Sequence, residues 1–378
     1  MHRLMAGVTI LEHELSELRL LVERQTGILL DCPNSALAAH VAEYLESHEL
    51  ESPAALLDRL RASDRDPSVL PAFLDGVLNV NTGFFRHPGA MNALARQVIP
   101  QLYARKVDDG PSTLRIWSAG CGTGEETYSI AMALCEALPG GNGNGSSSSN
   151  GSNNGSNNSN SSKDARERNS SGKNGGIAES IAPGTGQGTK DWSIHIVGSD
   201  LLPSAIEVAE RGLYPQSALT GLPPASIRAC FSKIGNSNGT QNGPQSGAQD
   251  VPPNGAMGLG NGSANGSGNG STNGTSGVHL LVKPRLRSLV TFNTMNLTKP
   301  VYIGRFDCIF CMDVLPHLSR VQRTALMERL HLYLEPGGYL FLSQTEKLCA
   351  PNLNFRSETF DGYTFHRKPL AASAAYGR

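Results

Sequence analysis

Gly120-Cys121-Gly122-Thr123-Gly124 is the segment of this sequence whose composition most plainly serves chemistry. Three glycines in five residues permit a tight turn and let a ligand approach the backbone, next to the positive end of a helix predicted from Glu125. A nucleoside ligand also needs an acceptor for its ribose hydroxyls at the end of the next strand, and Asp200 ends the run IHIVGSD. Two simpler readings stay open: a purely structural turn for the glycines, and a helix N-cap near Pro203 for Asp200. The loop lacks a Walker Lys-Ser/Thr and the GxGxxG spacing of dinucleotide enzymes. Glu125 and Glu126 follow it at once, which disfavours phosphate and suits an ammonium or sulfonium group. S-adenosylmethionine carries both.

These residues need strands and helices to hold them. LRIWS (114–118) predicts a strand, Glu125–Leu138 a helix, IHIVGS (194–199) a second strand and Pro203–Arg211 a second helix. FDCIFC (306–311) predicts a third strand, and Ser319–Leu334 a long amphipathic helix broken by Glu335-Pro336-Gly337-Gly338. YLFLS (339–343) then predicts another strand. Alternation of this kind builds an α/β domain on a mostly parallel sheet. The first eighty residues read instead as helices. Thr9-x-x-Glu12 forms a capping box, Leu11, Leu15, Leu18 and Val22 follow at helical spacing, and Gly27 stops the run. Further helices are expected near Ser35, at Ser52-Pro53 and at Asp66-Pro67. The division is a helical N-terminal domain, 1–80, and an α/β domain, 81–370.

Two polar segments interrupt the second domain. Residues 140–162 are only Gly, Asn and Ser, within a polar stretch 140–189, and residues 235–277 are of the same kind. With almost nothing apolar to bury, both read as disordered inserts, which surface turns tolerate because closure entropy grows slowly with length. Gly124 and Asp200 are 76 residues apart, and 26 once the 50-residue insert is set aside, close to the spacing of about 20 in nucleoside-binding strand–helix–strand units.

The formal charge is −1, and residues 1–80 carry six Arg/Lys against thirteen Asp/Glu, the opposite of a nucleic-acid module. The opening segment is charged every few residues, so no secretory signal is expected, and no run approaches the roughly 18 apolar residues of a membrane span. Seven cysteines at irregular spacing do not form a disulfide framework, and reduced thiols in a cytoplasmic protein are expected. Cys308-x-x-Cys311 lies in an apolar strand without a second pair and reads as core. No HxH or HExxH arrangement supports a metal.

The ordered pieces NTGFFRHP (81–88), RIWSAGCGTGEETYSIAMAL (115–134), VGSDLLPSAIEVAERGLY (197–214), NTMNL (293–297), FDCIFCMDVLPHL (306–318) and LEPGGYLFLSQTEKL (334–348) resemble the CheR-type methyltransferases, which methylate glutamate side chains of chemotaxis receptors. The resemblance implies a Rossmann-like class I methyltransferase sheet with a small β-subdomain inserted after Tyr214, plus an all-α N-terminal domain. It implies cofactor contacts from Thr82, Arg86, Gly120, Gly122, Glu126, Asp200, Asn296, Leu297 and Asp313. Arg86 would lie near the methionine end, Glu126 near the amino group, Asp200 at the ribose, and Asn296 and Leu297 beside the adenine. Arg86 and His317 are the catalytic candidates. A surface ion pair remains the alternative for Arg86, and Phe84 and Phe85 read as core packing.

The sequence departs from the family pattern at four places. Val80 stands for Asn, Met312-Asp313 for Arg-Asn, and His317 for a Tyr thought to orient the reacting groups. His317 either hydrogen-bonds in its place or is a helix-start residue without catalytic weight. The segment 31–50 has no Arg or Lys, unlike the basic helix that family members lay against acidic receptors. The expected reaction is methyl transfer from S-adenosylmethionine to a protein glutamate. The alternatives are a degenerate member that binds S-adenosylmethionine or S-adenosylhomocysteine as a regulatory module, and a methyltransferase of another substrate class. Glutamate is already ionised at neutral pH, so alignment and desolvation carry the reaction and no metal or general base is expected. The expected partner is a protein with exposed glutamates, such as a chemoreceptor, with no nucleic acid, no membrane insertion and a monomeric chain.

Overall fold

The computed structural model describes residues 10–62, 66–78, 82–106, 113–137, 193–234, 278–300, 303–350 and 352–370. The segments read above as inserts, 140–189 and 235–277, lie outside the described residues, as do Thr9 and Val80.

Four helices come first: α1 (Glu12–Thr26), α2 (Asn34–Ser47), α3 (Pro53–Arg61) and α4 (Val69–Val77). The capping box differs from the expected one. Helix α1 starts at Glu12, and Glu14, at its third position, accepts from the Leu11 amide at 2.9 Å. Leu11 is 49 % exposed, whereas Leu15, Leu18 and Val22 are buried, and Gly27 closes the helix at φ +76°. Ser52 caps α3 as expected, accepting from the Ala55 amide at 3.2 Å. Asp66 does not open α4. Its carboxylate instead takes the amide and hydroxyl of Ser68 in a turn before the helix.

The remaining elements are α5 (Pro88–Ala93), which runs through a π-helical turn (94–98) into α6 (Ile99–Lys106), then β1 (Thr113–Ala119), α7 (Glu125–Ala137), β2 (Ser193–Asp200), α8 (Pro203–Arg211), β3 (Leu213–Pro215), α9 (Pro224–Cys230), β4 (Phe231–Ile234), β5 (His279–Val282), α10 (Pro284–Arg287), β6 (Val290–Thr294), β7 (Phe306–Phe310), α11 (Arg320–Tyr333), β8 (Leu334–Phe341), β9 (Arg356–Phe360) and β10 (Tyr363–Arg367). Seven strands make one sheet in the order β6-β2-β1-β7-β8-β10-β9. All neighbours are parallel except β10, which runs antiparallel to both β8 and β9. The order reverses between β1 and β7, where an open α/β sheet leaves a crevice beyond its strand ends. This is the expected Rossmann-like sheet. The small β-subdomain after Tyr214 is a separate three-stranded antiparallel sheet, β3-β5-β4.

Both sheet faces are covered. Alternate residues of β7 go to opposite sides, Cys308 and Phe310 into one apolar cluster and Ile309 and Cys311 into the other. Two cysteines three apart on a strand therefore face away from each other, and all seven cysteines are unpaired. Among the described residues no cluster of His, Cys, Asp or Glu could hold a metal, and no helix is long and apolar enough to cross a membrane.

One further expectation is corrected, and the structure adds elements to the expected set. The Glu335-Pro336-Gly337-Gly338 break ends α11 but lies inside β8, which starts at Leu334 and shifts register against β7 between Phe306 and Cys308. The edge strand β6 and the hairpin β9–β10 were not among the four expected strands. The N-terminal helices also contact the α/β part of the chain. Their apolar core takes in Leu202 and Ala205 at the start of α8. Ile28 pairs as a β-bridge with Leu318, and the Leu29 amide donates to the His317 carbonyl at 2.8 Å.

Candidate functional site

The turn after β1 is held by the end of β2. The amides of Gly120 and Cys121 both donate to the Ser199 carbonyl, at 2.8 and 2.9 Å. Gly120 sits at φ +84°, and a β-carbon there would lie 2.4 Å from Val314 Cγ2. Gly124, at φ +94°, would meet Ala209 Cβ at 2.7 Å. No other residue fits either position without displacement.

Asp200 turns towards this loop. Its Oδ2 accepts from the Gly122 amide at 2.9 Å and its Oδ1 from the Leu202 amide at 3.0 Å. The carboxylate therefore closes a turn just ahead of α8, whose N-cap is Leu202 with no side-chain cap bond, so Asp200 is not that helix's N-cap. Burial pushes its pKa up, opposed by the Leu202 and Gly122 amides.

Glu126, on the first turn of α7, accepts from Ser118 Oγ at 2.7 Å. Burial raises its pKa from 4.5 to about 7. The Ser118 bond opposes that rise, the Asp313 and Glu346 carboxylates add to it, and Arg86 opposes it. Beside it, Arg86 Nη2 lies 3.3 Å from Asp313 Oδ2, and His87 Nε2 lies 2.9 Å from the same oxygen. Asp313 occupies left-handed backbone at φ +58° just beyond β7. Glu346 supports this turn, with Oε2 accepting from the amides of Asp313 (3.1 Å) and Ser343 (2.9 Å), and Oε1 from Leu315 (2.9 Å).

On the opposite side, Asn296 Oδ1 accepts from the Thr298 amide at 2.8 Å, and Arg329 donates to the carbonyls of Leu297 (2.7 Å) and Thr298 (2.9 Å). His317 belongs to a short 3-10 turn, 315–317, two residues before the N-cap Ser319. It is therefore not the start of α11.

All the expected site residues, Thr82, Arg86, Gly120, Gly122, Glu126, Asp200, Asn296, Leu297, Asp313 and His317, line one cavity of about 450 Å³ beyond the strand ends. That volume lies in the range of roughly 300–1,000 Å³ typical of small-molecule sites. Met312, buried at 5 % exposure, lies in the same wall. Phe84 and Phe85 both pack against the main apolar core, Phe84 edge-on to Tyr214 and Phe231, and Phe85, at φ +51°, also contributes to the cavity wall. His87 and Glu346 were not singled out from the sequence. His87 had no partner within reach along the chain, since Asp313 is 226 positions away, and Glu346 acts on backbone amides, which leave no trace in residue types.

S-adenosylmethionine fits these groups. The Gly120–Gly124 turn exposes backbone to the cavity, Asp200 brings a carboxylate to within hydrogen-bond distance of the Gly122 amide, and Glu126 and Arg86 would offer opposite charges to an amino-acid end. Fold and site together define a Rossmann-like class I methyltransferase that uses S-adenosylmethionine. The family model described as "CheR methyltransferase, SAM binding domain" matches residues 80–146 and 270–363. The chain is 24 % identical over 354 residues to "Chemotaxis protein methyltransferase 1" of Pseudomonas aeruginosa, covering 90 % of this chain and 96 % of that one. It is 23 % identical to "Chemotaxis protein methyltransferase 1" of Vibrio cholerae, over 92 % of this chain and 93 % of the relative. Among solved structures, magnesium protoporphyrin IX methyltransferase of Synechocystis with bound cofactor is similar at 12 % identity, over 76 % of this chain and 84 % of that one, with a TM-score of 0.27. The chain thus carries a match to the CheR methyltransferase cofactor-binding domain and is similar, at low identity over most of its length, to chemotaxis protein methyltransferases.

Proposed function

We propose that this enzyme transfers the methyl group of S-adenosylmethionine to a glutamate side-chain carboxylate of a partner protein, a chemoreceptor or a protein of similar signalling role. The observation that carries this reading is the single cavity in which the glycine turn and Asp200 face the Arg86–Glu126–Asp313 cluster. Supplied by the cofactor is a methyl group on a sulfonium, already activated for displacement by an anion. With the cofactor bound, that methyl would pass to the carboxylate oxygen, the C–S bond breaking as the C–O bond forms, to leave S-adenosylhomocysteine and a neutral methyl ester.

This chain's residues align and desolvate. Asp200 would accept from the ribose hydroxyls, Glu126 would hold the amino group, and Thr82 and Arg86 would hold the carboxylate end. Gly120 and Gly122 let the backbone close on the nucleoside, and Asn296 and Leu297 flank the adenine. Asp313 fixes Arg86, and His317 borders the space left for the acceptor. Holding both reactants in line in a dry site supplies most of the acceleration such a reaction needs. The reading further divides the chain into a helical domain, 1–80, and a methyltransferase domain, 81–370, acting as a cytoplasmic monomer.

The test is transfer of a radiolabelled methyl group to a purified receptor cytoplasmic fragment. Label released as volatile methanol by mild alkali supports a carboxyl ester. Binding of both ligands without transfer to any protein of a cell extract supports instead the regulatory module, for which buried Met312 in the place of Arg is the observation in favour.

A further inference from the structure

The parallel ladder between β7 and β8 ends with the Cys311 amide donating to the Phe341 carbonyl at 3.0 Å. Past that point the two strands part, and the amides of Asp313, Leu315 and Ser343 lose their ladder partners. Glu346, which does not line the cavity, takes all three with one carboxylate, at 2.9–3.1 Å. Buried amides left without acceptors are costly, and a charged acceptor is the strongest substitute for a lost strand. The turn so held is the one in which Asp313 adopts its left-handed backbone and reaches Arg86 and His87, more than two hundred residues earlier in the chain.

We propose that Glu346 is a positioning residue of this enzyme: by splinting the backbone of 313–315 to Ser343, it sets the place of Asp313 and hence the orientation of Arg86 and His87 in the cavity. Glutamine cannot replace it. An amide keeps one acceptor oxygen and turns an NH2 donor against at least one of the three backbone N–H groups. The inference rests on the cavity being the cofactor site.

Binding of S-adenosylhomocysteine by calorimetry provides the test, together with thermal melting, on full-length wild type, Glu346→Gln, Glu346→Asp and Leu102→Ala. Leu102 is a core residue, 1 % exposed, that does not line the cavity, and its truncation lowers stability without touching the turn. At a temperature where all are folded, Glu346→Gln is expected to raise Kd about tenfold. Glu346→Asp, one methylene short, is expected to raise it about threefold, and Leu102→Ala to leave it within twofold. Should Glu346→Gln not fold, the Glu346→Asp shift decides. A lowered melting temperature with Kd unchanged in the Glu346 variants makes the residue merely structural and overturns the proposal. Absence of binding by the wild type overturns the cofactor reading instead, so the two failures are distinct.

Discussion

Cofactor affinity should depend on pH through one carboxylate. Glu126 has its pKa raised to about 7, chiefly by burial. An ammonium group placed against it favours the ionised form, so binding lowers that pKa and expels the proton. Below the bound pKa both states are protonated, and above about 8 both are ionised, so affinity changes only between those limits. If the bound pKa falls to about 5, Kd at pH 6 exceeds that at pH 8 by roughly tenfold, and about half a proton leaves per ligand bound at pH 7. Calorimetry with S-adenosylhomocysteine at pH 6, 7 and 8, in buffers of different ionisation enthalpy, measures both quantities. The Glu126→Gln variant should bind more weakly at pH 8 and lose the slope. A flat Kd in the wild type, or a slope that survives in Glu126→Gln, refutes the placement of the amino group against Glu126.

The same carboxylate has a cost in the free protein. Its folded pKa of about 7 stands above its ordinary 4.5, so the stability it contributes is fully present below pH 4.5 and is lost as pH rises through 7. Glu126→Gln should therefore raise the melting temperature of the free protein at pH 8, by a stabilisation of up to about 3 kcal/mol, while impairing cofactor binding. Asp200→Ala removes the acceptor proposed for the ribose and leaves the Gly122 and Leu202 amides without it; a Kd for S-adenosylhomocysteine raised about 100-fold, read by calorimetry, is expected. Gly120→Val places a branched side chain at φ +84° against Val314, and loss of detectable binding together with a lowered melting temperature is expected.

How much of this was legible beforehand follows from what each feature leaves in the sequence. The glycine turn and Asp200 are marked by residue types, and their spacing became ordinary once the polar segment 140–189 was set aside. The helices of the first eighty residues announce themselves by apolar periodicity, but that periodicity cannot say what lies beyond the helices, and Leu202 and Ala205 complete their core. The hairpin β9–β10 leaves a local signal in the sequence. Asp361-Gly362 sits between two alternating runs, and both residues adopt positive φ as a tight two-residue turn requires. Strand β6 is short and edge-placed, with only Phe292 buried, so its pattern is faint. The Asp313–Arg86–His87 contact and the Glu346 splint are long-range or backbone-directed, and pairing of that kind is set by the fold alone.

The central claim is that one cavity holds S-adenosylmethionine between Asp200 and Glu126 for transfer to a carboxylate. Its most direct measurement is labelled-methyl transfer to protein, with the wild type and Asp200→Ala compared side by side. The account predicts alkali-labile label on protein with the wild type and at least a 100-fold slower rate with the variant at subsaturating cofactor. Alkali-stable label, or equal rates in the two proteins, would contradict it.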